Sequence, residues 1–258
     1  MSIVPSAWMP AARMSRIIFH WTAGAYTANA TDLRAYHLLV ERVAPGHARL
    51  VRGTFPISAN ENPQPGKYAA HTARLNTGSI GISMCCMGGP DVREHPFNAG
   101  RWPMTREQWN LMIAAAADLC RAYAIPVGPR TTLSHAEVQG TLGVKQANKW
   151  DFTRLAFDLS LLGPKACGDR LRADLAAALA GPRPGHAEPP LPPVATQSGV
   201  VTADWLNLRH GPGTTHDIGG GMPKGTRLAI LARDGDWMRV RTPAGYEGWV
   251  HSAYVRVE

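Results

Sequence analysis

Two periodicities run through the first 180 residues. In "RIIFHWTAGAY" (16–26), Ile17, Ile18 and Phe19 form an apolar run that Thr22, Ala23 and Gly24 end, so a buried strand is predicted. "YHLLVER" (36–42) and "ARLVRG" (48–53) read as strands joined by the turn-forming "VAPGH". "SIGISMCCM" (79–87) is small, apolar and β-prone, as a central strand should be. The period becomes helical in "TREQWNLMIAAAADLCRAY" (105–123). Trp109, Met112, Ile113, Ala116, Cys120 and Tyr123 share one face, and Thr105 with Gln108 makes a capping box. "DRLRADLAAALAG" reads as a second amphipathic helix closed by Gly181. These elements predict an α/β domain over residues 1–180.

Beyond it the texture changes twice. "GPRPGHAEPPLPPVATQSG" (181–199) is proline-rich and too poor in large apolar residues to bury a core, so it is expected to be an extended linker. Residues 200–258 hold short β-prone runs, "RLAILAR", "WMRVRT" and "GWVHSAYVRV", separated by Gly, Pro and Asp turns. That is the pattern of a small all-β barrel.

Composition narrows the function classes. The chain has 258 residues and is 45% hydrophobic, enough for a real core. The net charge of +8 favours anionic partners: nucleic acid, anionic lipid or an anionic cell-wall polymer. Its basic residues are scattered and do not interleave with aromatics, so nucleic acid is not an expected partner. Cys85, Cys86, Cys120 and Cys167 form no CxxC pair and read as buried thiols. No run of about 18 apolar residues is present, so no membrane insertion is expected. The first residues do not read as a secretory signal, and the protein is expected to be made in the cytoplasm and delivered to its substrate by another system.

The candidate chemistry starts at His20, at the end of the first strand. It is either a half-buried histidine satisfied by a carbonyl, or a metal ligand or base at the rim of a sheet. His135 stands in "TTLSHAEVQGTLGVKQANKWDF" (131–152), after Ser134, a possible cap, and before Lys149 and Asp151. Should His20, His135 and Asp151 converge, they suit a catalytic zinc with one position open to water.

The order "FHWTAG", "YHLLV", "AAHTARLNTGSIGISM", "SHAEVQGTLGVKQANKWDF" resembles the type 2 N-acetylmuramoyl-L-alanine amidases, which include phage lytic amidases and peptidoglycan recognition proteins. The resemblance covers roughly residues 10 to 160. It implies a mixed central sheet flanked by helices, with one zinc ion at its edge held by His20, His135 and Asp151. It makes Lys149 a catalytic lysine that stabilises the oxyanion, Tyr36 a residue that positions water, and His71 and Asn76 part of the substrate groove. Ser83 stands where one branch has a glutamate base, which leaves Tyr36 or Glu137 for that task. Glu137 could instead only orient His135, Tyr36 could be a packed strand-end ring, and Lys149 a solvated charge. His37 is expected on the opposite side of its strand from Tyr36.

"LNLRHGPG" (206–213), "KGT" (224–226), "GDWMRV" (235–240) and "GWVHSAYV" (248–255) resemble the bacterial SH3-like domain. Gly211, Pro212 and Gly213 are its tight loop, and Trp237 and Trp249 its core or groove. In lytic enzymes such domains bind cell-wall peptides. The two resemblances together imply a monomeric peptidoglycan hydrolase, such as a phage or prophage endolysin, that cuts between N-acetylmuramic acid and L-alanine. The alternative is a non-catalytic peptidoglycan-binding protein, whose members usually lack a full zinc set.

Overall fold

The computed structural model describes residues 2–147, 149–180, 197–209, 211–214, 216, 218–243 and 247–258. The chain forms two compact units, Met1–His186 and Ala187–Glu258.

The first unit is built on a five-stranded mixed sheet. Its strands are β1 (Arg16–Trp21), β2 (Leu38–Ala44), β3 (His47–Arg52), β4 (Ser79–Met84) and β5 (Thr132–Ser134), in the order β3-β2-β4-β1-β5. β2 and β3 form the expected antiparallel hairpin, while β2, β4, β1 and β5 run parallel. The run at 79–87 is central, as its composition suggested, but its strand ends at Met84. The helices are α1 (Ala30–Ala35), α2 (Arg106–Tyr123), α3 (His135–Leu142) and α4 (Gly163–Ala180).

Strand alternation divides the sheet chemically. Ile17, Phe19, Ile80, Ile82, Leu38 and Val40 share one face and bury into the main core with Trp109, Met112, Ile113 and Ala116 of α2 and Leu171 and Leu175 of α4. Each of the Val, Leu, Ile, Phe and Met side chains among them contributes about 1.5–3 kcal/mol when fully buried. The other face carries Ile18 and Leu133, which pack on Val138 of α3. It also carries His20, in register with Ser83 of β4.

Local chemistry explains several departures from the pattern. α1 is only six residues long, too short for a hydrophobic period, and is set by the capping box of Asn29 and Asp32. β2 starts at Leu38 because Tyr36 is the extended C-cap of α1. On α2, Thr105 accepts the N–H of Gln108, but the Gln108 Oε1 meets the Thr105 hydroxyl at 3.2 Å and not its backbone N–H, while its amide nitrogen donates to Val40 O and Cys85 O at 3.1 and 2.9 Å. The predicted box is therefore half a cap and half a bolt onto the sheet. α4 begins at Gly163, earlier than its apolar period showed. The four cysteines are free and buried.

The second unit is an all-antiparallel sheet in the order β12-β6-β9-β10-β11-β7-β8. Its strands are β6 (Gln197–Val201), β7 (Trp205–Arg209), β8 (Ile218–Pro223), β9 (Arg227–Asp234), β10 (Trp237–Arg241), β11 (Glu247–His251) and β12 (Val255–Val257). Residues 197–199, expected in the linker, pair with β9 instead. The rest of that linker, 181–196, lies outside the described residues, as does the proposed cap Gly181. The core is aliphatic, from Val201, Leu206, Leu208, Met222, Leu228, Ile230, Met238, Val240, Val250 and Val255. Trp237 and Trp249 are only half-buried and lie outside it. Among the described residues no helix is long and apolar enough to cross a membrane.

Candidate active site

Three elements deliver three side chains to one point. β1 carries His20 at its C-terminal end, with no solvent exposure. His135 is the first residue of α3, and Asp151 lies in the segment between α3 and α4. His20 Nδ1 is 3.3 Å from Asp151 Oδ2, and His135 Nδ1 is 3.4 Å from the same oxygen. The three ligand-type atoms lie within 4.8 Å of one another.

The neighbours of these residues set their positions. Trp21, beside His20, meets the rings of Trp150 and Phe152, which flank Asp151, at 4.8 and 5.5 Å. Phe152 is fully buried at φ 62°, so its ring holds the backbone in a left-handed turn that a non-glycine residue rarely adopts.

Electrostatics fix the protonation states. Burial pushes the His20 pKa down to about 4, although Asp151 pulls it up; the charge of Lys149 adds to the lowering. Burial raises Asp151, but the His135 and His20 rings that face it outweigh that and hold the carboxyl at about 2. A neutral imidazole and an ionised carboxylate are the forms that bind a metal. Tyr36 lies with its ring 5.1 Å from that of His20, and burial and the Asp151 charge both raise its hydroxyl pKa, so it stays protonated.

Some sequence-predicted residues take other places. His71 does not line an open groove. It is 6% exposed, with its ring stacked over Gly81, where a Cβ would meet His71 Cγ at 2.5 Å. Its Nδ1 is 3.3 Å from His20 Nε2, and its Nε2 is 3.3 Å from Ser79 O. Asn76 turns its Oδ1 inward to accept the N–H of Thr72 at 3.0 Å. Glu137 accepts from Ser134 N at 2.9 Å and from Arg172 of α4 at 2.8 Å, lying against Gly168. It fastens α3 to α4 and caps α3, and its carboxylate is spent on those bonds rather than on His135. His37 does not oppose Tyr36: Tyr36 precedes the strand, so alternation does not apply, and the His37 ring lies 5.7 Å from that of His71. Lys149 is exposed.

Sequence reasoning missed Gln146 and Thr72. Gln146 Oε1 is 2.9 Å from His135 Nε2, and the Thr72 hydroxyl is 2.9 Å from His71 Nδ1 and 3.5 Å from His20 Nε2. Only their closeness in sequence to His71 and Asp151 hinted at them.

In the second unit, Trp205, Trp237, His251 and Tyr254 line a cavity of about 410 Å³ with Asn207, Arg209 and Thr214. Trp205 is 63% exposed and lies across Gly221, where a Cβ would meet its Nε1 at 2.4 Å.

Fold and site together define a mixed α/β protein with a candidate His-His-Asp metal centre, joined to a separate antiparallel β unit. A family model described as N-acetylmuramoyl-L-alanine amidase matches residues 10–151, more than half of the chain, and one described as bacterial SH3 domain matches residues 204–256. The chain belongs to the N-acetylmuramoyl-L-alanine amidase family. It is similar to "Putative N-acetylmuramoyl-L-alanine amidase YrvJ" of Bacillus subtilis (strain 168), 39% identical over 59 residues, which are 23% of this chain and 11% of that protein. Two solved structures from Clostridium intestinale URNW, the endolysine N-acetylmuramoyl-L-alanine amidase LysCS and the N-acetylmuramoyl-L-alanine amidase LysC, are each 17% identical to it with a TM-score of 0.31. Each covers 55% of this chain, over 94% and 96% of its own length respectively.

Proposed function

We propose that this chain is a zinc-dependent peptidoglycan hydrolase that cleaves the amide between N-acetylmuramic acid and L-alanine. The observation that carries this reading is the convergence of two Nδ1 atoms on Asp151 Oδ2. Zinc bonds of about 2.0–2.2 Å in a tetrahedron require ligand–ligand edges of roughly 3.3–3.6 Å. The edges from Asp151 to the two histidines are 3.3 and 3.4 Å. Ser83 Oγ, on the same sheet face as His20, is buried beside the Tyr36 hydroxyl, which keeps this side of the centre polar. The residues present therefore fit the ion.

A zinc ion held there would supply Lewis acidity toward the amide carbonyl and a water activated at neutral pH. The chain supplies the rest. Lys149 offers an exposed cation to the charge that develops on the carbonyl oxygen. Tyr36, held protonated, offers an O–H donor to orient water or carbonyl. The complete ligand set favours an enzyme over a non-catalytic wall-binding protein.

The SH3-like unit is the wall-binding part in this reading, with the groove at Trp205 and Tyr254 as its contact. The net charge of +8 suits an anionic wall polymer. The setting we propose is a phage or prophage lysin acting as a monomer, with residues 1–180 as the catalytic domain and 200–258 as the tail. The test is product analysis on purified muropeptides: a free L-alanine amine should appear, stop with a chelator and return with added zinc. Hydrolysis elsewhere in the polymer, or full turnover by metal-free protein, refutes the reading.

A further inference from the structure

Outside the three proposed ligands, the site's polar bonds form two chains that end on backbone carbonyls. A carbonyl oxygen only accepts, so each chain has a direction. The Gln146 amide nitrogen donates to Ala73 O at 3.0 Å and Val144 O at 3.4 Å, which turns its Oε1 toward His135 Nε2. His135 Nε2 must therefore carry the ring proton, and Nδ1 is bare.

The second chain starts at Ser79 O, which forces the proton of the buried His71 ring onto Nε2. His71 Nδ1 is then an acceptor, filled by the Thr72 hydroxyl at 2.9 Å, and His20 Nε2 faces that nitrogen at 3.3 Å and the Thr72 oxygen at 3.5 Å, both acceptors toward it, so His20 Nε2 carries the ring proton. His20 Nδ1 is left bare as well. Two bare nitrogens and an ionised carboxylate oxygen then face one another with no proton between them, an arrangement that a cation resolves.

Both chains rest on the segment after α1 and β3. His71, Thr72 and Ala73 O are consecutive, and Asn60 pins the segment by donating to Ala69 O and Asn76 O at 2.9 and 3.2 Å. We propose that His71 and Gln146 are positioning residues, each of which fixes the ring tautomer of one metal-binding histidine so that both Nδ1 atoms point bare at the ion. This rests on the zinc reading above.

The test compares Gln146→Leu, Gln146→Glu and His71→Phe with the unaltered full chain, by zinc competition binding and by long-range ¹H–¹⁵N spectra of the imidazoles. Glu keeps the acceptor for His135, whereas Leu of similar size removes it. Gln146→Leu and His71→Phe should bind zinc about 10–100-fold more weakly, and Gln146→Glu, which keeps an acceptor for His135 but loses the bonds to Ala73 O and Val144 O, should fall between Gln146→Leu and the parent. The spectra of the unaltered protein should show Nε2–H on His71, His20 and His135. Melting of the metal-free proteins shows that each variant folds. Parent-like zinc affinity in Gln146→Leu and His71→Phe, or an Nδ1–H tautomer at His20 or His135 in the loaded parent, overturns the proposal. A parent that binds no zinc overturns the site reading itself, and the relay with it.

Discussion

Phe152 packs its ring 5.5 Å from that of Trp21, and each of these residues directly follows a proposed metal ligand, Asp151 and His20. The tilted ring pair ties two chain segments 131 positions apart, so packing in the core sets the geometry of the centre. Phe152 is fully buried with φ 62°. Removing its ring in Phe152→Ala should cost about 3–5 kcal/mol and loosen zinc binding. Glycine tolerates the left-handed backbone, so Phe152→Gly should be at least as stable as Phe152→Ala, reversing the usual order. Denaturant unfolding of both variants decides this, and a clearly less stable Gly variant would show that the backbone is not strained.

Gly81 is the second packing control on the centre. An added Cβ there would lie 2.5 Å from His71 Cγ, and β4 is the central strand, so the backbone cannot yield easily. Gly81→Ala should destabilise the protein by roughly 1–3 kcal/mol through overpacking. Displacing His71 should also weaken zinc binding. Unfolding and zinc titration of this one variant measure both effects, and a variant with both unchanged would mean that His71 has room to move.

The three proposed ligands were legible through the order of the motifs that resemble the amidase family, helped at the two histidines by local signals. His20 ends an apolar run, and His135 follows a Ser134-x-x-Glu137 cap that starts a helix. The hairpin, the central strand and α2 were legible from such local signals. What was not legible depends on tertiary path. Gln146 is a loop glutamine whose partner lies across the site. Glu137 reads in sequence as a base or as an orienter of His135, but its oxygens meet Arg172 of a helix that begins 26 residues later. His71 reads as a groove residue until Gly81 is seen to leave a seat for its ring. Tyr36 and His37 defied alternation because a six-residue helix ends just before them.

Acid should destabilise the metal-free protein in a defined window. Burial lowers His20 and His37 to about 4, against 6.5 for a free histidine. The unfolded chain therefore binds more protons between about 6.5 and 4, and stability falls as the pH drops through that range. Above 6.5 these two groups contribute no slope. Chemical unfolding of chelator-treated protein from pH 7.5 to 4 measures this, and a flat profile would mean that neither ring is neutral and buried as described.

The aromatic groove of the second unit should govern attachment and not chemistry. Trp205 is exposed and supports no core residue, so Trp205→Ala should leave folding and turnover of a small soluble muropeptide unchanged. Cosedimentation with intact sacculi should weaken, and so should their degradation, because the tail raises the local concentration of the catalytic unit. Unaltered cosedimentation would make this groove a bystander.

Asp151 and Lys149 stand two positions apart and should fail in different ways. Asp151 Oδ2 is the point where both Nδ1 atoms meet, so Asp151→Ala should lower zinc occupancy itself. Lys149 is exposed and belongs to none of the ligand contacts, so Lys149→Ala should keep its zinc and its stability. What it removes is a cation whose interaction is strongest when the carbonyl oxygen carries charge, in the transition state. Loss of one such group typically costs ~10²–10³ in kcat, about 3–4 kcal/mol, with little change in KM. Lys149→Arg keeps the charge on a planar, differently shaped head, so it should rescue only in part. Zinc content measured beside steady-state kinetics on a defined muropeptide separates the two residues. Near-normal kcat in Lys149→Ala would make Lys149 a solvated surface charge and remove it from the mechanism.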